Sequence, residues 1–140
     1  VAKVTPRYLV DKSALARMPL EPVRARLAPI LEAGEAATCS VIDLEVLYSA
    51  RNHEEHRRIR HRRDLAYTRI PLTEAIFQRA IELQARLAER AQHRIPIPDL
   101  VIAATAESAG LTVLHYDADF DRITQTTGVS TEWVVPRGSL

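Results

Sequence analysis

An α/β fold, with a mainly parallel central sheet flanked by helices on both faces, is the class this sequence predicts, and three observations carry it. Short apolar runs recur at residues 8–10, 37–40 and 111–116. The segments between them show apolar positions at helical spacing instead of tight hairpin turns. Strands joined through helices need crossover connections, and these make neighbouring strands parallel.

Taken in order, Tyr8-Leu9-Val10 reads as a buried strand ending at Asp11, and Ser13 opens a short helical stretch. From residue 21 to 33 the apolar side chains Val23, Leu27, Ile30 and Leu31 recur with helical period; Pro22 suits the first turn, Gly34 the stop, and Pro29 predicts a kink or early end. Residues 37–40 form a second short strand, followed by a helix on which Val41, Leu44, Leu47 and Tyr48 share a face and which carries Glu45. Residues 53–68 are polar and arginine-rich and read as a helix, with Ile59 and Leu65 touching the core. Ile70-Pro71-Leu72 is an edge strand, because Pro71 cannot donate to a ladder. Thr73 caps a long helix to about Arg90, striped by Ile76, Phe77, Ala80, Leu83, Gln84 and Leu87. The run Ile95-Pro96-Ile97-Pro98 breaks the chain and delivers Asp99 to a helix over 100–109, whose small residues let it lie close to a sheet and which Gly110 ends. Residues 111–116 are the clearest buried strand, ending at Asp117. A short helix from Asp119 to about Gln125 and a last strand over 131–135 complete the pattern.

A chain of 140 residues and 15.7 kDa suits one domain spanning residues 1–140, and 46% hydrophobic with 26% charged residues is a globular composition. The net charge of +1 nominates no whole-molecule electrostatic partner, and 5% aromatic residues argue against stacking platforms for single-stranded bases. Cys39 stands alone, so there is no internal disulfide or cysteine-based metal site, and a cytoplasmic location is expected. No membrane segment is expected, and residues 1–17, with Lys3, Arg7, Asp11 and Lys12, lack the apolar centre of a signal peptide.

The carboxylates are the informative feature. In open α/β sheets ligands bind beyond the carboxyl ends of the strands. Asp11 and Asp117 terminate apolar strands, Asp99 opens the helix feeding the last of them, and Glu45 lies about one turn into its helix. Crowded carboxylates repel one another unless a proton or a cation compensates. An all-oxygen donor set favours Mg2+ or Mn2+ over Zn2+, and such an ion supports phosphodiester hydrolysis. A single Asp at a strand end is commonly a cap or turn former; their joint appearance at one sheet edge is what points to a site. Asp43, two positions before Glu45, reads as a helix-start residue, and Asp119 and Asp121 as caps, with Asp119 the more interesting beside Asp117. Ser13 is close enough to Asp11 to support it by hydrogen bonding. His115, inside an apolar strand, reads as a core or rim residue and not a ligand. Arg57, Arg58, Arg60, Arg62 and Arg63 form either a solvated face or a positive surface for a phosphate-bearing substrate.

Four blocks together carry a resemblance: Tyr8-Leu9-Val10-Asp11-Lys12-Ser13-Ala14, Asp43-Leu44-Glu45-Val46-Leu47-Tyr48, Asp99-Leu100-Val101-Ile102-Ala103-Ala104-Thr105-Ala106, and His115-Tyr116-Asp117-Ala118-Asp119-Phe120-Asp121. In order and spacing they resemble the PIN-domain ribonucleases, and more closely the VapC toxins of bacterial toxin-antitoxin pairs. The ending Trp133-Val134-Val135-Pro136-Arg137-Gly138 is similar to the tail of many actinobacterial members. The resemblance implies a PIN fold, an Mg2+- or Mn2+-dependent endoribonuclease cutting structured RNA such as transfer or ribosomal RNA loops, a homodimer, and neutralisation by a VapB antitoxin. It places Asp11, Glu45, Asp99 and Asp117 in the family's acidic site, with Asp119 as a fifth candidate and Ser13 as the neighbouring hydroxyl. Lys12 and His115 depart from the family, which commonly has Thr and a small hydroxyl residue there.

The reading is therefore a nuclease in which Asp11, Asp99 and Asp117 hold one or two divalent ions and Glu45 adds a ligand or positions the water. A phosphoacceptor receiver domain would need a late-strand Lys, and both lysines, Lys3 and Lys12, are N-terminal. The alternative is a catalytically silent module that grips RNA or protein. Apolar positions around Val46 and Ile59 are candidates for a dimer surface.

Overall fold

The computed structural model describes residues 5–140, so Lys3 lies outside the described residues. Five strands, β1 (Tyr8–Val10), β2 (Ala36–Thr38), β3 (Thr68–Arg69), β4 (Thr112–His115) and β5 (Thr131–Trp133), form one sheet in the order β3-β2-β1-β4-β5. Every pairing is parallel. The helices between them are α1 (Lys12–Leu15), α2 (Glu21–Glu32), α3 (Ser40–Leu47), α4 (His53–Ala66), α5 (Glu74–Ala88), α6 (Ile97–Ala109) and α7 (Asp119–Thr127).

Strand alternation divides the core between the two faces of the sheet. Leu9, Ala37 and Val113 pack with Ile76, Leu83 and Leu87 of α5 and with Leu100 to Ala104 of α6. Their neighbours Val10, Ala36 and Leu114 point the other way, onto Val23, Leu27 and Ile30 of α2. The chain winds from β1 outward through β2 to β3, then returns to lay β4 on the opposite side of β1. Strand order therefore reverses between β1 and β4, the switch point where a parallel sheet opens a crevice at its carboxyl edge.

Local chemistry explains most boundaries. Asp11 caps α1 by accepting the Ser13 amide, Asn52 caps α4 through Glu55, and Thr73 caps α5 through Ile76. Gly110 ends α6 in the left-handed conformation at φ 69°, which a side chain would disfavour. Pro98 falls in the first turn of α6, where a missing N–H costs nothing, so the helix starts before Asp99.

Several expectations are corrected. Helix α2 runs through Pro29 to Glu32, because burial of Leu27 and Ile30 on either side of it outweighs one lost hydrogen bond near the helix end. Strand β2 stops at Thr38, Cys39 flanks α3, and Ser40 is already helical. The third strand is Thr68–Arg69, two residues earlier than Ile70-Pro71-Leu72. On α3 the inward face is Ile42, Asp43 and Leu47, while Leu44 and Tyr48 are 68% and 91% exposed. Leu65 is also exposed, and Phe77 only borders the core. Among the arginines, Arg63 is buried. It cannot meet RNA from inside the fold, so the exposed basic face of α4 is Arg57, Arg58, Arg60 and Arg62.

Candidate metal centre

Asp11 sits at the end of β1, where its amide donates to Leu114 O at 2.9 Å and extends the ladder toward β4. Its Oδ2 accepts the Ser13 amide at 2.9 Å and the Ser13 hydroxyl at 2.5 Å. That hydroxyl in turn accepts the Tyr116 amide at 2.9 Å. The Asp11 contact is the one its spacing suggested; through the Tyr116 amide Ser13 also ties the two central strand ends together.

The carboxyl end of β4 supplies Asp117, whose Oδ1 accepts the Asp119 amide at 2.9 Å. The first turn of α6 presents Asp99, almost fully buried. Asp99, Asp117 and Asp119 each offer a carboxylate oxygen, and these oxygens lie within 4.8 Å of one another. The tightest group therefore includes Asp119 and not Asp11. Asp11 and Glu45 join the same crevice electrostatically.

The electrostatics report that crowding. Burial first, then the charges of Asp11, Asp117, Asp119 and Glu45, push the Asp99 carboxyl up to about 8. Burial raises Asp11 as well, against the hydrogen bonds from Ser13, and Asp117 adds to the rise. Burial and the Asp11 charge raise Glu45, partly offset by Lys12. One Glu45 oxygen, Oε1, is buried without a hydrogen-bond partner. A buried acceptor with nothing to accept, beside acids forced toward protonation, is the environment a hard cation completes. The donor set is oxygen throughout, so the residues present fit Mg2+ or Mn2+.

Residues 8–125 match the PIN domain family. The chain belongs to it. Ribonuclease VapC21 of Mycobacterium tuberculosis is 48% identical over 139 residues, a match covering 97% of this chain and 99% of that relative. Ribonuclease VapC51 of the same organism is 44% identical over 134 residues, covering 96% and 97%. A DNA-bound VapBC crystal structure from Salmonella typhimurium shares the fold with a TM-score of 0.74 at 18% identity, over 93% of this chain and 99% of that one. The likeness to the VapC proteins thus runs nearly end to end, and the four acidic blocks fall at one sheet edge of this PIN domain.

Two features escaped the sequence. Asp43 is in the first turn of α3, as its position suggested, but its role is an ion-pair centre: it accepts Arg63 Nε at 2.9 Å, Arg69 Nε at 3.1 Å and the Thr38 hydroxyl at 3.0 Å. Burial works against its charge, yet the bonds from Arg69, Arg63 and Thr38 hold its carboxyl below the usual range. The signal was present on α4, where Arg63 follows Ile59 by four residues and so shares its inward face. The second is His115, fully buried, with Nδ1 accepting the Asp117 amide at 3.1 Å. Periodicity along the strand carries no signal for such a bond.

Proposed function

We propose that this PIN domain, a single unit over residues 1–140, is the toxin of a type II toxin-antitoxin pair and acts as an Mg2+- or Mn2+-dependent endoribonuclease on structured RNA, such as transfer or ribosomal RNA loops. The observation that carries this reading is the convergence of Asp11, Glu45, Asp99, Asp117 and Asp119 on one crevice, with Asp99 pushed toward protonation and Glu45 Oε1 left without a partner. Asp99, Asp117 and Asp119 would hold the cation, with Asp11 close behind and Ser13 fixing its orientation. When bound, such an ion supplies Lewis acidity to the attacking water and positive charge opposite the phosphate. Asp99 would be held as the carboxylate when the site is filled, and Glu45 would complete the ligand set or take the proton of the attacking water. The exposed Arg57, Arg58, Arg60 and Arg62 offer the phosphate backbone a positive face.

The names of the VapC relatives and the VapBC neighbours support a VapB-type antitoxin as partner, and a cytoplasmic site of action is proposed on the RNA substrate and the lone Cys39. No helix among the described residues is long and apolar enough to cross a membrane. A homodimer is proposed as well. Val46 and Ile59 are half-buried, and the exposed apolar side chains Phe77, Ile81 and Ile97 line one groove between α5 and α6.

Incubating the purified protein with total RNA tests the central reading. Cleavage should require Mn2+ or Mg2+ and fall at least about a hundredfold in Asp99→Asn. Cleavage in excess chelator, or by Asp99→Asn at the wild-type rate, overturns it.

A further inference from the structure

We infer that His115 is a positioning residue for Asp117, and that its Nδ1 sets the geometry of the acidic crevice; the inference rests on the metal-site reading above. His115 closes β4 with no exposed surface. Its ring packs against Phe120, with centroids 4.9 Å apart, and against Trp133 at 5.0 Å. The Trp133 indole is itself fixed by donating to Asp121 at 2.9 Å. Held between these rings, the imidazole turns Nδ1 to the amide of Asp117 at 3.1 Å.

An acceptor at Nδ1 requires a neutral ring with its hydrogen on Nε2. That nitrogen is buried and has no hydrogen-bond partner. As packing material alone, His115 is a poor choice: an aliphatic or phenyl side chain would fill the space between Phe120 and Trp133 without stranding a polar group. What the imidazole does that those side chains cannot is accept the Asp117 amide. Asp117 leaves the sheet at this point, and its N–H bonds to the His115 ring. Its Oδ1 is held from the other side by the Asp119 amide. The carboxylate is thus pinned at both ends of its residue, which orders Asp117 and Asp119 before any cation arrives. Partners of this kind, which touch the ligands and not the ion, typically change metal affinity by about 10–100-fold.

Two substitutions separate positioning from packing. His115→Asn puts an acceptor oxygen near the place of Nδ1 and leaves a void where the rest of the ring was. His115→Gln fills more of that space but carries its amide near Nε2. Positioning predicts opposite orders for two measurements: Asn lowers the melting temperature more than Gln, yet it holds Mn2+ within about threefold of the wild type, while Gln weakens Mn2+ binding about tenfold or more by titration calorimetry. Packing alone predicts that affinity follows stability. Equal Mn2+ affinity in the two variants, or tighter binding by Gln, overturns the inference. The wild type and Asp99→Asn are titrated alongside: a wild type that binds no Mn2+ overturns the metal reading and this inference with it, whereas binding lost in Asp99→Asn but indifferent to His115 overturns the inference alone. Should Asn fail to fold, His115→Ser, a shorter side chain that still offers an acceptor, takes its place in the comparison with Gln under the same criteria.

Discussion

Asp99 shows what burial among other acids costs a single side chain. Its carboxyl has an ordinary value of 3.8 and is pushed up to about 8, first by burial and then by the surrounding acids. The native state therefore keeps a proton that the unfolded chain releases between about pH 4 and 8. The stability linked to that proton is present at low pH and declines as pH rises through this window. In metal-free protein, Asp99→Asn should melt several degrees higher than wild type at pH 8, with the gap closing toward pH 4. Adding Mn2+ should raise the wild-type midpoint and leave the variant's unchanged. A scan of melting temperature against pH, with and without Mn2+, reads both. At this scale Asp11, Asp99 and Asp117 were legible because each follows directly from an apolar run or a proline break. The work of Ser13 was legible only in part: its reach to Asp11 follows from a spacing of two residues, but its acceptance of the Tyr116 amide crosses 103 positions.

Between elements, the decisive feature is the clasp that joins the end of β2, α3, α4 and β3 through Asp43. Arg63 lies inside it, donating to Asp43 and to Thr38 Oγ1 at 2.9 Å each, with its guanidinium 4.4 Å from the centre of the Tyr67 ring. Arg69 bridges Asp43 to Asp64 from the solvent side. Removing one partner strands a buried charge, so Asp43→Ala should cost about 3–5 kcal/mol. The paired change Asp43→Leu with Arg63→Met should recover much of that loss. Urea midpoints at constant m-value check both. The Asp43 carboxyl is held below its ordinary value, so its contribution is present above pH 3.8 and is lost as pH falls through the lower native value. Helical spacing revealed which segments are helices, but not which way α3 turns. Its sequence is apolar nearly all round, and Leu44 and Tyr48 face solvent because Asp43 is drawn inward by two arginines that lie 20 and 26 residues further along the chain.

For the whole molecule, a net charge of +1 conceals a separation of charge. Five acids converge at the carboxyl edge of β1 and β4, while four exposed arginines line α4. If that helix meets RNA, Arg57→Gln with Arg58→Gln should raise KM severalfold at unchanged kcat. The salt slope of binding should fall by about one for each phosphate that no longer has an arginine beside it. Cleavage kinetics and RNA affinity across an ionic-strength series check this, and Arg63→Gln should instead lower the melting temperature. The alternation of apolar runs with helical periods was enough to imply a parallel sheet, and with it an acidic edge, because crossover connections bring every strand's carboxyl end to the same side. The strand order β3-β2-β1-β4-β5, the inclusion of Asp119 in the tightest acidic group, the burial of Arg63 and the grip of His115 on Asp117 needed the folded chain. Periodicity reports the solvent facing of each element along its own axis. Which two elements meet, and which charge is left without water, is settled only when distant segments pack and a polar group must find its partner there or go without.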